Sequence, residues 1–219
     1  MDVECVKIGH MKDIRTFRNR DARHLVRMVG NQWDLAKRST GAGRLCDWIY
    51  AAEILSQNTE MLVLTDGVGR PVGFAGYAQG TSHRHALRRA FWRLVYIILG
   101  RCVKNRDALR RYYAAYDYVP GCVARRFDAE CDILIVDRAH RGGAGRVLFG
   151  ELMRDAAARG VKKMRIDTDD SCNVAFYRGI GAVQVYAAVA QNGGEDETEN
   201  VYVFCIEPQK WQPPVEMAG

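Results

Sequence analysis

The segment that settles the architecture of this 219-residue chain is Val136-Asp137-Arg138-Ala139-His140-Arg141-Gly142-Gly143-Ala144-Gly145-Arg146. It follows the apolar run 131–136, which is typical of a buried strand, and it leads into the periodic run 146–159, which predicts a helix. Glycines let backbone N–H groups approach a phosphate, and the start of a helix adds partial positive charge. The order of strand, basic glycine-rich turn and helix therefore predicts a site for a phosphorylated ligand.

The turn alone does not identify that ligand. It is not a P-loop, because no Gly-Lys-Ser/Thr follows it. The dinucleotide pattern G-x-G-x-x-G does not fit either, because Leu148 stands where the third glycine is needed. A helix start that binds no ligand is the alternative that the turn leaves open.

The composition predicts one globular domain spanning residues 1–219, with 48% apolar and 26% charged residues. The net charge of +6 suits an anionic ligand or a weakly nucleic-acid-binding surface. Seven cysteines form no C-x-x-C pair, which argues against a disulfide framework and against a metal site. We expect reduced thiols in a cytoplasmic protein. The longest apolar run, 90–99, contains Arg93 and is too short to span a membrane.

Periodicity predicts alternating helices and strands along most of the chain. The predicted strands are 4–8, 60–65, 71–79, 131–136, 162–168, 182–190 and 200–206, and the predicted helices outside the basic segment are 21–37, 44–57, 145–159 and 172–178.

A basic, aromatic insertion at about residues 80–127 interrupts this pattern, with predicted helices at 86–99 and 107–116. Three roles are open for it. The first is that it covers a cleft and selects a substrate. The second is that its apolar face around Phe91 and Trp92 forms a homodimer contact. The third is that its arginines bind nucleic acid. We rank nucleic acid a distant third, because no known nucleic-acid motif accompanies the arginines.

A second motif follows the turn by about thirty residues and reads Asn173-Val174-Ala175-Phe176-Tyr177-Arg178-Gly179-Ile180-Gly181-Ala182. Together with the turn from His140 to Gly145, it resembles the GNAT superfamily of acyl-CoA-dependent N-acyltransferases. In that family a Q/R-x-x-G-x-G/A turn holds the pyrophosphate of coenzyme A, and a later Asn with a Phe-Tyr-x-x-x-Gly-Phe segment lies beside the thiol. The resemblance covers about residues 130–206, and the earlier elements match in order only.

The resemblance has two departures. His140 occupies the Gln/Arg position, unless the loop is one residue short and Arg141 takes that role. Ala182 replaces the phenylalanine that usually follows the glycine, which affects packing more than chemistry.

The resemblance implies an α/β fold with a mixed, mostly antiparallel sheet of six to seven strands flanked by helices. It also implies acetyl-CoA as co-substrate and no metal. The residues that it assigns to binding acetyl-CoA are Leu134, Ile135, Val136, His140, Arg141, Gly142, Gly143, Ala144, Gly145, Arg146, Asn173 and Phe176.

For catalysis, the resemblance implies that Tyr177 donates a proton to the leaving thiolate. A packed aromatic side chain at a helix end is the alternative. Asp128, Glu130 and Asp132 alternate, so on a strand they share a face and line one wall. Glu130 matches the position of a glutamate base in histone-acetylating relatives, and Asp132 matches a carboxylate of some small-molecule relatives. A solvated strand end, or a water chain in place of a dedicated base, remains open.

These motifs predict an N-acetyltransferase that moves an acetyl group from acetyl-CoA to a primary amine of a small molecule or peptide. A CoA-binding sensor without turnover and a basic nucleic-acid-binding module are the alternatives. The sequence does not identify the acceptor, because GNAT relatives acetylate antibiotics, polyamines, amino acids and protein amines.

Overall fold

The computed structural model describes residues 13–33, 44–80, 85–102, 120–170, 172–191 and 198–212. Seven strands form one sheet in the order β1-β2-β3-β4-β5-β7-β6. The strands are β1 (Ile14–Thr16), β2 (Glu60–Thr65), β3 (Pro71–Gln79), β4 (Ala129–Val136), β5 (Met164–Asp169), β6 (Val183–Gln191) and β7 (Thr198–Ile206). The α-helices are α1 (Ala22–Trp33), α2 (Leu45–Gln57), α3 (Ala86–Cys102), α4 (Gly121–Ala124), α5 (Arg141–Ala158) and α6 (Val174–Gly179).

The sheet is mostly antiparallel. The neighbouring strands β4 and β5 are parallel, and every other neighbouring pair runs antiparallel. A parallel pair needs a long crossover, which α5 supplies here. The predicted α/β fold, with a mixed, mostly antiparallel sheet of six to seven strands flanked by helices, is confirmed.

Helices cover both faces of the sheet. Helix α5 buries Leu148, Phe149, Leu152 and Met153 against one face. Helices α1 and α2 bury a second set of apolar side chains against the other face, including Leu25, Val29, Ala51 and Leu55. The sheet is therefore the middle layer of three, and strands β2 to β4 are covered on both sides.

Helix α1 is tied to the edge strand β1 by a buried ion pair. The Arg15 guanidinium donates to both carboxylate oxygens of Asp21 at 2.7 and 2.8 Å, and the backbone N–H of Arg18 donates to the same carboxylate at 2.8 Å. Burial raises the pKa of Asp21, but these hydrogen bonds outweigh burial and hold it below its usual value. The pair fixes the start of the helix whose last residue, Trp33, lies at the candidate site.

The centre of the sheet carries a bulge and a split. Gly76 pairs with Ile133 and Tyr77 with Cys131, so Asp132 is an extra residue in β4. Strands β4 and β5 pair from Ala129 to Cys131, after which β4 follows β3 and β5 follows β7. The two halves of the sheet therefore separate beyond Cys131 and open a gap.

Several predicted elements agree with the structure closely. The hairpin strands 60–65 and 71–79 are confirmed to the residue. The predicted strand 4–8 lies outside the described residues. Strand β1 at Ile14–Thr16 was not predicted, because its three residues are too few to show a period.

The described part of the insertion packs against the body of the protein through α3. Trp92 is 5% exposed and donates from Nε1 to Asn19 Oδ1 at 3.3 Å. Phe91, Leu94 and Ile98 are at least half exposed, so the homodimer contact stays a prediction. The predicted helix 107–116 lies outside the described residues. Among those that are described, no helix is both long and apolar enough to cross a membrane.

Candidate active site

Two clefts meet where β4 and β5 separate. The larger has a volume of about 670 Å³ and the smaller about 230 Å³. Both are lined by the same four residues at their junction: Trp33, Leu134, Cys172 and Tyr177. A ligand in one cleft can therefore reach a ligand in the other across the gap in the sheet.

The glycine-rich turn forms one wall of the larger cleft. Gly143 has φ of +79°, a left-handed conformation that glycine adopts without strain, and regular helix begins after it. Gly143, Gly145 and Arg146 line the cleft together with Leu134, Ile135 and Val136 of β4. This wall combines backbone N–H groups at a helix start with a guanidinium, which suits a phosphate.

Other residues of the predicted turn lie elsewhere. Ala144, in the first turn of α5, is 2% exposed and packs in the core. Neither His140 nor Gly142 is among the described residues that line the two clefts. The His140 N–H donates to Asp137 O at 2.8 Å, which closes the turn. The side chain of Arg141 lies outside the described part of the structure, so its competition with His140 for the leading basic position stays open.

The two adjacent glycines of the turn give a matched test. Gly143→Ala should lower the free energy of unfolding by about 1 to 2 kcal/mol, because an L-residue is strained at positive φ. It should also weaken phosphate-ligand binding, because relaxing the strain moves the N–H groups of the turn. Gly142→Ala, at φ −59°, should have a smaller effect on both, and an added Cβ meets nothing within 4 Å at either position. Thermal unfolding and calorimetric titration measure the two effects, and equal losses in the two variants would contradict this account.

Helix α6 places the second motif beside the turn, with the Phe176 ring next to Gly145. The Asn173 side chain accepts from the Phe176 N–H at 3.1 Å and so caps the helix. The Phe176 ring packs on Phe149 of α5 with ring centroids 6.2 Å apart. Asn173 and Phe176 both line the larger cleft. Because the Asn173 oxygen is used in capping, the Nδ2 end is the part of the side chain that can donate to a ligand.

Tyr177 lies at the junction of the clefts. Its ring packs on Phe176 and Phe204, with centroids 5.4 and 5.8 Å away. Burial raises the pKa of the Tyr177 phenol above its usual value, and the neighbouring Cys131 and Cys172 act in the same direction. The hydroxyl is therefore protonated at neutral pH and can act as a donor.

Carboxylates dominate the smaller cleft. Glu130 forms an ion pair with Arg165, whose Nε lies 3.2 Å from Asp167 Oδ1. Burial raises the pKa of Asp132 well above the usual value of an aspartate, and the charges of Glu130 and Asp167 raise it further. Burial and the charge of Glu130 also raise the pKa of Asp167 to about 7, although Arg165 opposes them. Both carboxyl groups therefore bind a proton more tightly than an ordinary aspartate, and Asp167 does so with a pKa of about 7.

Asp128 is not part of this wall. It precedes β4, and its carboxylate accepts the backbone N–H groups of Lys162 and Lys163, each at 3.0 Å. The predicted row of three carboxylates on one strand face is therefore wrong at its first member. The bond geometry explains why: Asp128 holds the turn before β5 in place and cannot also face the cleft.

Known proteins match this chain in fold and not in sequence. No protein-family model matches the sequence, and no curated protein matches it significantly. Solved structures do match the fold. The alignment with the ribosomal-protein-S18-alanine N-acetyltransferase from Escherichia coli covers 92% of this chain and 97% of that protein's chain, at a TM-score of 0.54 and 14% sequence identity. The chain has the GNAT fold.

Two further solved structures illustrate the match. A GCN5-related N-acetyltransferase from Rhodopseudomonas palustris covers 91% of this chain and 99% of its own, at a TM-score of 0.51 and 17% identity. The yncA protein from Salmonella typhimurium, solved with its cofactor acetyl-CoA, covers 93% and 98%, at a TM-score of 0.52 and 14% identity. The GNAT fold that the two sequence motifs predicted is therefore confirmed, and the roles of individual site residues stay predictions.

Sequence reasoning missed three residues that the GNAT fold brings to this site. Arg165 and Asp167 lie on β5, where Glu130 pairs in register with Arg165, and Trp33 ends α1. A signal for the first two was present: Arg165-x-Asp167-x-Asp169 alternates as Glu130-x-Asp132 does, so both sets face the same side. Trp33 gave no signal, because its helical spacing marked it as a core residue. Among the described residues, no group of three or more His, Cys, Asp or Glu side chains can hold a metal ion.

Proposed function

We propose that this protein is an N-acetyltransferase that transfers an acetyl group from acetyl-CoA to a primary amine of a small molecule or peptide. The observation that carries the proposal is the junction of two chemically opposite clefts at the split between β4 and β5. One is lined by a phosphate-type turn with Arg146, and the other by carboxylates. A phosphorylated donor and a cationic acceptor would meet at Tyr177.

The larger cleft fits coenzyme A in size and in chemistry. Its volume of about 670 Å³ lies within the range of roughly 300 to 1,000 Å³ for small-molecule sites. The turn at Gly143, Gly145 and Arg146 would hold the pyrophosphate. Among the described residues, β4 has no strand partner on its β5 side after Cys131, so Leu134 to Val136 would present backbone groups to the pantetheine. Bound acetyl-CoA would supply the thioester whose acetyl group is transferred.

The chain's own groups would then handle the protons. The amine must lose a proton as its nitrogen bonds to the carbonyl carbon, and the departing sulfur must gain one as the carbon–sulfur bond breaks. Asp132 is placed to accept the first proton, since it lines the smaller cleft and its raised pKa makes its carboxylate a stronger base than that of an ordinary aspartate. Tyr177 is placed to donate the second from the junction of the clefts. Burial raises the pKa of Tyr177, which opposes this transfer, and burial of the departing thiolate raises the thiol pKa, which favours it.

A thermal-shift and turnover experiment tests this function. Acetyl-CoA at about a hundred times its dissociation constant should add about 2.7 kcal/mol of stability, which is roughly 5 to 10 °C in melting temperature for a chain of this size. Release of free thiol with a panel of primary amines should follow. A shift without thiol release would favour the sensor alternative. No shift at millimolar acetyl-CoA, together with strongly salt-dependent binding to mixed DNA or RNA, would favour the nucleic-acid module.

A further inference from the structure

The smaller cleft has a charge pattern that acetyl transfer does not by itself require. No Lys, Arg or His is among the described residues that line it. Five carboxylate residues do line it: Glu53, Glu130, Asp132, Asp167 and Asp169. Arg165 offsets part of this charge through its ion pairs with Glu130 and Asp167. The described side chains that line this cleft are therefore acidic rather than basic, which favours a cationic ligand over an anionic one.

The Asp132 carboxyl group in this wall has an oxygen that lacks a donor among the described residues. Oδ2 of Asp132 is shut off from solvent and accepts no hydrogen bond from any described residue. The bulge in β4 places Asp132 at this position, where its carboxyl group lines the smaller cleft. A buried oxygen without a donor costs free energy, which a ligand that brings N–H groups and positive charge would recover.

The wall formed by α2 adds a second set of features that attract cations. Trp33 and Tyr50 pack edge to face, with ring centroids 5.5 Å apart, and both line the cleft. Aromatic faces attract ammonium groups. Glu53 follows Tyr50 by three residues in α2, so the two side chains share one face of the helix. Cation-binding groups therefore lie on both sides of the cleft, at Asp132 on the sheet and at Glu53 on the helix.

Resting on the proposed acetyl transfer, we propose that the acceptor is a slender aliphatic amine that carries a second positive charge. The amine to be acetylated lies at Asp132, and the second ammonium lies at the α2 wall, between Glu53 and the rings of Trp33 and Tyr50. The volume of about 230 Å³ is below the usual range for sites of drug-sized ligands, so a linear chain fits better than a bulky ring system.

Three amines of equal chain length test the proposal: diaminopentane, aminopentanol and aminopentanoate. They share the reacting amine and differ in the far end, which is cationic, neutral or anionic. We expect kcat/KM for diaminopentane to exceed that for aminopentanol by about tenfold and that for aminopentanoate by about a hundredfold, where each factor of ten corresponds to about 1.4 kcal/mol. Equal values for the three, or a preference for aminopentanoate, would overturn the proposal.

A variant and its control locate the second charge. Glu53→Gln should reduce the preference for diaminopentane over aminopentanol to about threefold or less, because the substitution removes the charge and keeps the shape. Glu151→Gln, on α5 and in an ion pair with Arg154, should leave the preference as it is. If Glu53→Gln leaves the preference intact, the placement of the second ammonium is wrong.

A binding measurement separates this proposal from acetyl transfer itself. Equilibrium dialysis of labelled diaminopentane against the full chain saturated with CoA should show binding. Unlabelled aminopentanol should displace the label about tenfold less effectively than unlabelled diaminopentane does. Selective binding without turnover of any amine would support the dicationic ligand and overturn the transferase. Turnover without selectivity would overturn the dicationic ligand alone. Neither binding nor turnover would overturn both.

Discussion

Tyr177→Phe is expected to lower kcat by about 10² to 10³ while the dissociation constant of acetyl-CoA changes by less than about threefold. The phenylalanine ring keeps the packing on Phe176 and Phe204, so the substitution removes the hydroxyl and little else. Without a proton donor at the junction, the sulfur must leave as an unprotonated thiolate in a largely buried cleft, which raises the barrier. Thiol-release kinetics measure kcat, and calorimetric titration measures acetyl-CoA binding.

Tyr202→Phe is the matched control. The Tyr202 hydroxyl donates to Asp170 Oδ1 at 2.9 Å, and Tyr202 is not among the described residues that line the two clefts. Its turnover should equal that of the wild type. A Tyr177→Phe variant that loses acetyl-CoA binding and turnover in equal measure would instead assign Tyr177 a structural role.

Much of the fold follows from local patterns in the sequence. The hairpin strands 60–65 and 71–79 could be placed to the residue, because apolar runs flank a turn of Asp66, Gly67 and Gly69. Their pairing also follows, since a short turn joins antiparallel neighbours. The edge strand β1 could not be placed, because its formation depends on the backbone of β2 and not on its own three residues.

The donor side of the site was more accessible to sequence reasoning than the acceptor side. The turn from Gly143 to Arg146 and the segment from Asn173 to Tyr177 are each continuous in the sequence. Their residue types and spacing can therefore be recognised directly as motifs. The acceptor side is assembled from α1, α2, β4 and β5, which are distant along the chain. Only the register of Glu130 with Arg165 shows that two alternating charged strands share a wall.

Counting along β4 misjudged Asp128 because this residue precedes the strand and accepts the N–H groups of Lys162 and Lys163. Simple alternation placed Asp128, Glu130 and Asp132 as equals on one face. The extra residue in β4 is Asp132 itself, so its position depends on a break in pairing with β3 that no pattern in β4 announces. On its other edge, β4 loses its pairing with β5 after Cys131, and this edge faces the larger cleft. Donor and acceptor geometry thus depend on how β4 pairs on its two edges.

Asp132→Asn is expected to lower kcat/KM for the amine by about 10² to 10³, because the amide cannot accept the amine proton. The substitution is nearly isosteric and removes a carboxyl whose ionisation is already opposed by burial and by Glu130 and Asp167. The fold should therefore persist, with a melting temperature at or above that of the wild type. Thiol release with a saturating donor measures the loss, and Glu151→Gln again serves as the control.

The pH profile distinguishes Asp132 from its neighbour Asp167 as the base. A base acts when deprotonated, so a raised pKa means that activity is lost as the pH falls through that value. The pKa of Asp167 is raised to about 7 and the pKa of Asp132 is also raised, so the loss should fall above the pH range in which an ordinary aspartate titrates. Asp167→Asn removes a negative neighbour, lowers the pKa of Asp132, and should move the acidic limb of kcat/KM to lower pH while much of the maximal rate survives. A profile in which Asp167→Asn abolishes turnover and Asp132→Asn only shifts the limb would make Asp167 the base instead.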